Sequence, residues 1–274
     1  MSDGATGHAA VVEAAAELDL RALGTPAEFA ACVELQRATW GLEYRDVVPA
    51  SLLKVVQLAG GVCAGAFLPD GRLAGFVCGL TGVRNGRLMH WSHMLAVASD
   101  LRNRGVGRRL KQFQRELVRS LGVERMYWTF DPLVARNAHL NLNLLGTRVD
   151  EYVPDMYGHT GSELHAFGTD RFVVSWDLAA ARPRPPAAGW RGMAVMSAGE
   201  LVNGVADRGG PLPAVRIEIP ADIEAMPLAV ARAWRERTRA SFLRLQRDGY
   251  EVTGFVRDAA AGCFYLLARA ERHP

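Results

Sequence analysis

The stretch Trp91–Leu110, WSHMLAVASDLRNRGVGRRL, decides the reading of this chain. Leu88–Val97 is largely apolar and of strand length, which marks a buried strand. Arg102-Asn103-Arg104-Gly105-Val106-Gly107 is an R-x-x-G-x-G turn. Val106, Leu110, Phe113, Leu117 and Leu121 then follow at helical spacing, one apolar face of a helix that Gly122 ends. A strand that turns on glycines into a helix leaves unpaired amides and the positive end of the helix dipole at the turn. Glycine also lets the backbone approach a pyrophosphate with no Cβ between. Arg102, Arg104, Arg108 and Arg109 add positive charge. The expectation is a diphosphate site. The spacing is not G-x-G-x-x-G, and no lysine followed by Ser or Thr is present, so dinucleotide folds and P-loops are disfavoured.

Working outward, Glu17–Ala22 alternates as a strand does, and Thr25-Pro26 opens a helix to about Thr39. A second helix follows Pro49. Strands Val62–Leu68 and Leu73–Leu80 flank the hairpin turn Pro69-Asp70-Gly71, and Asn85-Gly86 makes another turn. Downstream come strand Arg125–Phe130, a short helix Asn137–Leu145 closed by Gly146, and strands Thr147–Val153 and Arg171–Trp176. The order β-α-α-β-β-β-α-β-α-β-β is an α/β layout with a mixed sheet. Residues 1–14 are expected to be loose, 15–181 to form the main domain, and 182–213, rich in proline and glycine, to be a linker with local structure around Trp190–Val195. Residues 214–274 predict a smaller segment: strand Val215–Ile219, helix Leu228–Arg247, and strands Tyr250–Val256 and Phe264–Ala268. This β-α-β-β order echoes that of Arg125–Trp176 and suggests a degenerate half-repeat.

The 274 residues suffice for a large core without disulfide or metal staples. A net charge of +3 is too mild to indicate a nucleic-acid binder, and no apolar run is long enough to span a bilayer. The N-terminus has no signal-peptide pattern, and Cys32, Cys63, Cys78 and Cys263 form no CxxC pair. A cytoplasmic protein with reduced, buried thiols is expected, without nucleic-acid or membrane partners and with a homodimer left open.

On the strand, the R-x-x-G-x-G turn, the helix Val106–Leu121, the strand Arg125–Phe130 and the short helix ending at Gly146, the chain resembles the GNAT superfamily of acyl-CoA-dependent N-acetyltransferases. The resemblance spans roughly residues 17–178 and extends to a group of uncharacterised predicted acetyltransferases. It implies a GNAT-like, mainly antiparallel central sheet flanked by helices. It implies acetyl-CoA or another acyl-CoA as co-substrate, with no metal. The backbone of Leu95, Ala96 and Val97 would pair with the pantetheine arm as an added strand, in a splay between the strands Leu88–Val97 and Arg125–Phe130. Amides of Asn103 to Arg108, with Arg109 and Asn137 nearby, would hold the cofactor. A backbone N–H near Met94 or Leu95 would polarise the thioester carbonyl.

Amine acylation needs a neutral amine and a proton for the leaving thiolate. Related enzymes often carry a tyrosine four residues before the glycine that ends the short helix; here that position is Leu142. Asn137 and Asn141 could orient the thioester or a water, or simply bond the backbone. His93 is a candidate base or proton relay, or else a satisfied core histidine. His90, three positions away, would face the other side of a regular strand, against a metal pair. Asp131 could bind the amine, act as base, or fix the turn with Pro132. Tyr152 and Tyr157 are candidate acids. Thr169-Asp170-Arg171 could line an acceptor pocket or form a turn. The arginines of Leu228–Arg247 suggest a solvated face. With no cysteine in the strand or turn, direct transfer to a small-molecule amine is expected. The alternatives are a non-catalytic acyl-CoA-binding regulatory module, or an acyltransferase using a carrier-protein thioester or a hydroxyl acceptor.

Overall fold

A computed structural model describes residues 17–179, 188–201 and 212–270. The expected loose stretch 1–14, and residues 182–187 and 202–211 of the expected linker, lie outside them. The described residues group into two compact units. One holds the chain through Trp128 together with 160–163 and 177–179; the other holds the remainder.

In the first unit, β1 (Asp19–Ala22), β2 (Val62–Phe67), β3 (Leu73–Arg84), β4 (Arg87–Val97) and β5 (Arg125–Phe130) neighbour one another in that order, β5 continuing into the second unit. Pairing is antiparallel except between β4 and β5. This is a mixed α/β fold whose main sheet is mostly antiparallel. Helices α1 (Pro26–Trp40) and α2 (Ala50–Leu58) cover one face, where Phe29, Cys32, Leu53 and Val56 pack with Phe76, Cys78, Met94 and Ala96. Thr25 caps α1 reciprocally with Glu28, so two orphan amides of the first turn are satisfied. Helix α3 (Val106–Ser120) lies on the opposite face: Leu110 packs by Gly75, the neighbour of Phe76 in β3.

The second unit contains the antiparallel pair β6 (Arg148–Val153) and β7 (Arg171–Asp177). It also holds a five-stranded sheet in the order β11-β12-β10-β8-β9, with β8 Ala194–Ser197, β9 Glu200–Leu201, β10 Ala214–Ile219, β11 Tyr250–Asp258 and β12 Gly262–Arg269. The local structure expected at Trp190–Val195 is a 3-10 turn leading into β8, which pairs parallel with β10. Helix α5 (Leu228–Arg247) sends Phe242 into a ring cluster with Tyr152, Phe172 and Tyr265. The short helix begins as α4 (Ala135–Ala138) and widens into a π-turn over His139–Leu145 before Gly146 in the left-handed region.

Candidate functional site

The glycine turn is built to leave donors open. Gly105, the N-cap of α3, has φ of 80° and Asn103 has φ of 63°, both in the left-handed region. No side chain caps α3. The amide of Arg102 reaches the carbonyl of Ser99, and the next backbone bond among the described residues runs from the amide of Arg109 to the carbonyl of Gly105. Among the described residues no protein acceptor takes the amides of Val106, Gly107 or Arg108. Gly107 has room to spare: an added Cβ would lie 3.5 Å from Leu95 and 3.8 Å from Val97, ordinary contact. Protein packing therefore does not demand glycine there, whereas a ligand approaching the helix end would. Arg102 steadies the turn through the carbonyl of Val97, and Arg109 donates to the carbonyl of Leu18. Arg104 and Arg108 form no ion pair among the described residues. The arrangement fits an anionic diphosphate at the α3 N-terminus.

The neighbouring strand has two departures from regularity. First, parallel pairing of β4 with β5 consists of His90 with Met126 and Trp91 with Tyr127. Beyond these, from Ser92 to Val97, nothing among the described residues pairs with that edge of β4, so its backbone is open to an added strand. Second, Cys78 of β3 faces Met94 while Gly79 faces Ser92, so His93 is an extra, bulged residue. The bulge exchanges the faces of β4. Ser92 bonds to α3, whereas Met94 and Ala96 enter the α1–α2 core and Leu95 and Val97 approach α3. Gly79 makes room for it, since an added Cβ would meet the Nε2 of His90 at 2.3 Å and the carbonyl of Trp91 at 2.6 Å.

His93 is exposed, yet the protein packed around it desolvates the imidazole and lowers its pKa, with Asp46 pulling the other way. The shift favours the neutral ring. His90 points instead into a buried chain of hydrogen bonds. Lys111 donates to Ser92 (2.7 Å), Ser92 to Gln114 (2.8 Å), Gln114 to the Nε2 of His90 (3.0 Å), and the Nδ1 of His90 meets Thr81 (3.0 Å). Burial, then the charge of Lys111, lowers the His90 pKa to about 4.

The remaining sequence candidates fall in the second unit. Asp131 is buried; it accepts from Arg235 at 2.5 Å and from the amide of Leu133, and Arg171 lies at 3.6 Å. Tyr152 is buried and donates to Asp170; burial and then that carboxylate raise its pKa. Asp170 also accepts from Arg239 and the amide of Asp155. Tyr157 is 40% exposed, its hydroxyl 2.9 Å from that of Thr129, with Arg171 over its ring. Asn137 is half-buried and Asn141 buried. In the π-turn the amide of Gly146 bonds the carbonyl of Asn141, five residues back. The wider turn thus puts Asn141, rather than Leu142, one turn before the glycine.

The solvated face expected for α5 holds for Arg232, Arg237, Arg244 and Arg247, which are exposed, but not for Arg235, buried against Asp131 and the carbonyl of Phe167, nor for Arg239, half-buried on Asp170. The spacing of Arg235 and Arg239 in line with buried Phe242 was the available signal. Among the described residues no group of three His, Cys, Asp or Glu side chains could hold a metal, and no helix is long and apolar enough to cross a membrane.

Solved structures similar to the chain include yncA from Salmonella typhimurium with its cofactor acetyl-CoA (17% identity, 62% of this chain and 99% of that one, TM-score 0.46). Others are an aminoglycoside 6'-N-acetyltransferase complexed with coenzyme A (17%, 61% and 99%, TM-score 0.45) and Ard1 from Thermoplasma volcanium (13%, 60% and 99%, TM-score 0.45). The comparison with curated proteins finds no match. A family model described as acetyltransferase (GNAT) family matches residues 29–141, from within α1 through the glycine turn into the π-turn. Over residues 29–141, less than half of its length, the chain is thus similar to the acetyltransferases of the GNAT family.

Proposed function

We propose that the chain binds acetyl-CoA or another acyl-CoA at the Arg102–Arg109 turn and passes the acyl group directly to the amine of a small molecule. The observation that carries this is the uncapped start of α3, with free amides at Val106 to Arg108 and a glycine at 107 that packing does not require. Amides and the arginines Arg104 and Arg108 would hold the diphosphate, and the open edge of β4 at Leu95, Ala96 and Val97 would take the pantetheine arm. The bulge at His93 tilts the backbone beside Met94 and Leu95, where an N–H would stabilise the oxyanion of the tetrahedral intermediate. His93, exposed and biased towards the neutral ring, suits the base that takes the amine proton.

Of the two tyrosines Tyr157 has the more available proton, because Tyr152 already spends its own on Asp170. Asp131, held by two guanidiniums and an amide, acts in this reading as a structural anion, and Asn137 and Asn141 orient groups without exchanging protons. Direct transfer is favoured over an acyl-enzyme because the thiols are buried: burial raises the Cys32 pKa to about 12, and the hydrogen bond between Cys63 and Cys78, with burial, raises that of Cys63. A cytoplasmic setting without membrane or nucleic-acid partners remains part of the proposal, as does the choice of acceptor.

The test is calorimetry with acetyl-CoA on the wild type and Gly107→Val, beside an amine panel. The wild type should bind, and the variant should lose about 100-fold in affinity, roughly 2.7 kcal/mol, while its melting temperature stays within a few degrees. Equal affinities would overturn the site. Tight binding without turnover on any amine would favour a non-catalytic acyl-CoA-binding module, a reading that leucine at 142 keeps alive. Turnover only with an acyl carrier protein or an alcohol would move the assignment to those substrates.

A further inference from the structure

We infer that Lys111 sets the fork between β4 and β5, and so the slot that admits the pantetheine arm; this rests on the acyl-CoA reading above. The last paired residues of the two parallel strands are Trp91 and Tyr127. The next residue on each strand is Ser92 and Trp128, and Lys111 touches both. Its Nζ lies 2.7 Å from the Oγ of Ser92 and 3.8 Å from the centroid of the Trp128 ring. The side chain therefore stands at the apex of the fork, one contact on each arm.

A lysine is an expensive choice for that place. All three residues are buried, and no carboxylate is recorded against the amine among the described residues. Taking an amine out of water without a counter-ion costs several kcal/mol, and methionine or leucine would fill the space without that cost. What the amine adds is direction. It donates to Ser92, which leaves the Ser92 proton for Gln114, and Gln114 in turn donates to His90. The chain fixes β4 immediately before the bulged residue His93.

The same helix carries both halves of the device. The α3 N-terminus presents the open amides at Val106, Gly107 and Arg108, and Lys111 follows one turn later. A rigid helix thus fixes the distance between the diphosphate grip and the fork, which is the distance a pantetheine arm must span. Lys111 is a positioning residue: it touches neither acyl group nor acceptor, and it acts through the two strands.

The experiment compares two ligands, CoA and adenosine 3'-phosphate 5'-diphosphate, which keeps the phosphates and lacks the pantetheine arm. Binding is measured by calorimetry on the wild type, Lys111→Met and Ser92→Ala. Lys111→Met should bind the nucleotide within about twofold of the wild type and lose about tenfold or more for CoA, with a raised KM for acetyl-CoA. Ser92→Ala, which removes only the acceptor and keeps the core filled, should repeat the pattern more weakly and covers the case in which the lysine variant does not fold. A lysine that merely supports the fold would shift the melting temperature and leave both affinities unchanged, which overturns the proposal. So does an equal loss for both ligands. A wild type that binds neither ligand overturns the acyl-CoA reading and this one with it.

Discussion

Helices α3 and α5 are both rich in arginine, yet they treat their polar capacity in opposite ways. On α5 the guanidiniums turn to the protein's own acceptors, one Arg235 nitrogen apart: Arg235 and Arg239 hold Asp131 and Asp170, and Arg232, Arg237 and Arg244 bond carbonyls or a hydroxyl. On α3 the first amides and the side chains of Arg104 and Arg108 find no such partners. Charge content alone does not distinguish a ligand site from a structural clasp. What distinguishes them is whether donors remain after the protein's own acceptors are counted.

The sharpest way to break this contrast is to remove a carboxylate from the α5 clasp. Asp131→Ala would leave Arg235 and Arg171 buried around an absent anion. Breaking a buried pair by deleting one partner costs about 3–5 kcal/mol. Denaturant unfolding should show a loss of that size. A loss below about 0.5 kcal/mol, typical of surface positions, would mean that Arg235 is solvated after all and that the contrast with α3 is false.

Acid should separate the two regions next. His90, in the buried chain beneath α3, has its pKa lowered to about 4. An unfolded histidine titrates near 6.5, so the folded form resists protonation. Its contribution is complete above that unfolded value and is lost as pH falls from about 6.5 towards 4, an effect of about 2–3 kcal/mol. Asp170 behaves differently. Burial raises its pKa, but the hydrogen bonds from Arg239 and Tyr152 outweigh that and lower it. Its contribution persists above the ordinary carboxylate value near 3.9 and disappears only as pH drops through the lower folded value. Stability measured against pH should therefore fall first through the α3 chain, and His90→Asn should flatten the slope between pH 6.5 and 4 while Asp170→Asn leaves it in place. A wild-type curve flat over that window would refute the buried chain.

The elements themselves were legible from periodicity and turn chemistry. Arg125–Phe130 and Leu228–Arg247 have the observed bounds, and the strand, turn and helix around Gly105 lie where the sequence puts them. The bulge was not legible. One additional residue in β4 leaves Leu88–Val97 as largely apolar as a regular buried strand, and only its neighbour Gly79, a glycine inside a strand, hinted at a close approach. Lys111 was visible as one of two lysines in the chain, but a lysine on a predicted helix gives no sign of pointing inward. The engagement of Asp131 and Tyr152 was hidden for another reason. Their partners Arg235 and Asp170 are 104 and 18 residues away, and pairings over such separations depend on tertiary structure. The π-turn belongs to the same class: its extra residue per turn shifts Asn141 into the place counted for Leu142, and no local composition announces it.

The smallest predicted effect is the most specific to the contrast. Arg108 is exposed, stands in the first turn of α3 and has no ion pair among the described residues. Arg108→Ala should therefore change stability by less than about 0.5 kcal/mol. If the residue is held in reserve for a diphosphate, the same change should weaken CoA about three- to tenfold, roughly 0.7–1.4 kcal/mol. Because the contact is solvent-exposed, that penalty should shrink as salt rises and the Debye length shortens. Arg239→Ala is the mirror image: it strips a partner from buried Asp170 and should cost stability while leaving CoA affinity unchanged. If both variants lose stability and neither loses affinity, spare donors on α3 are no guide to ligand binding.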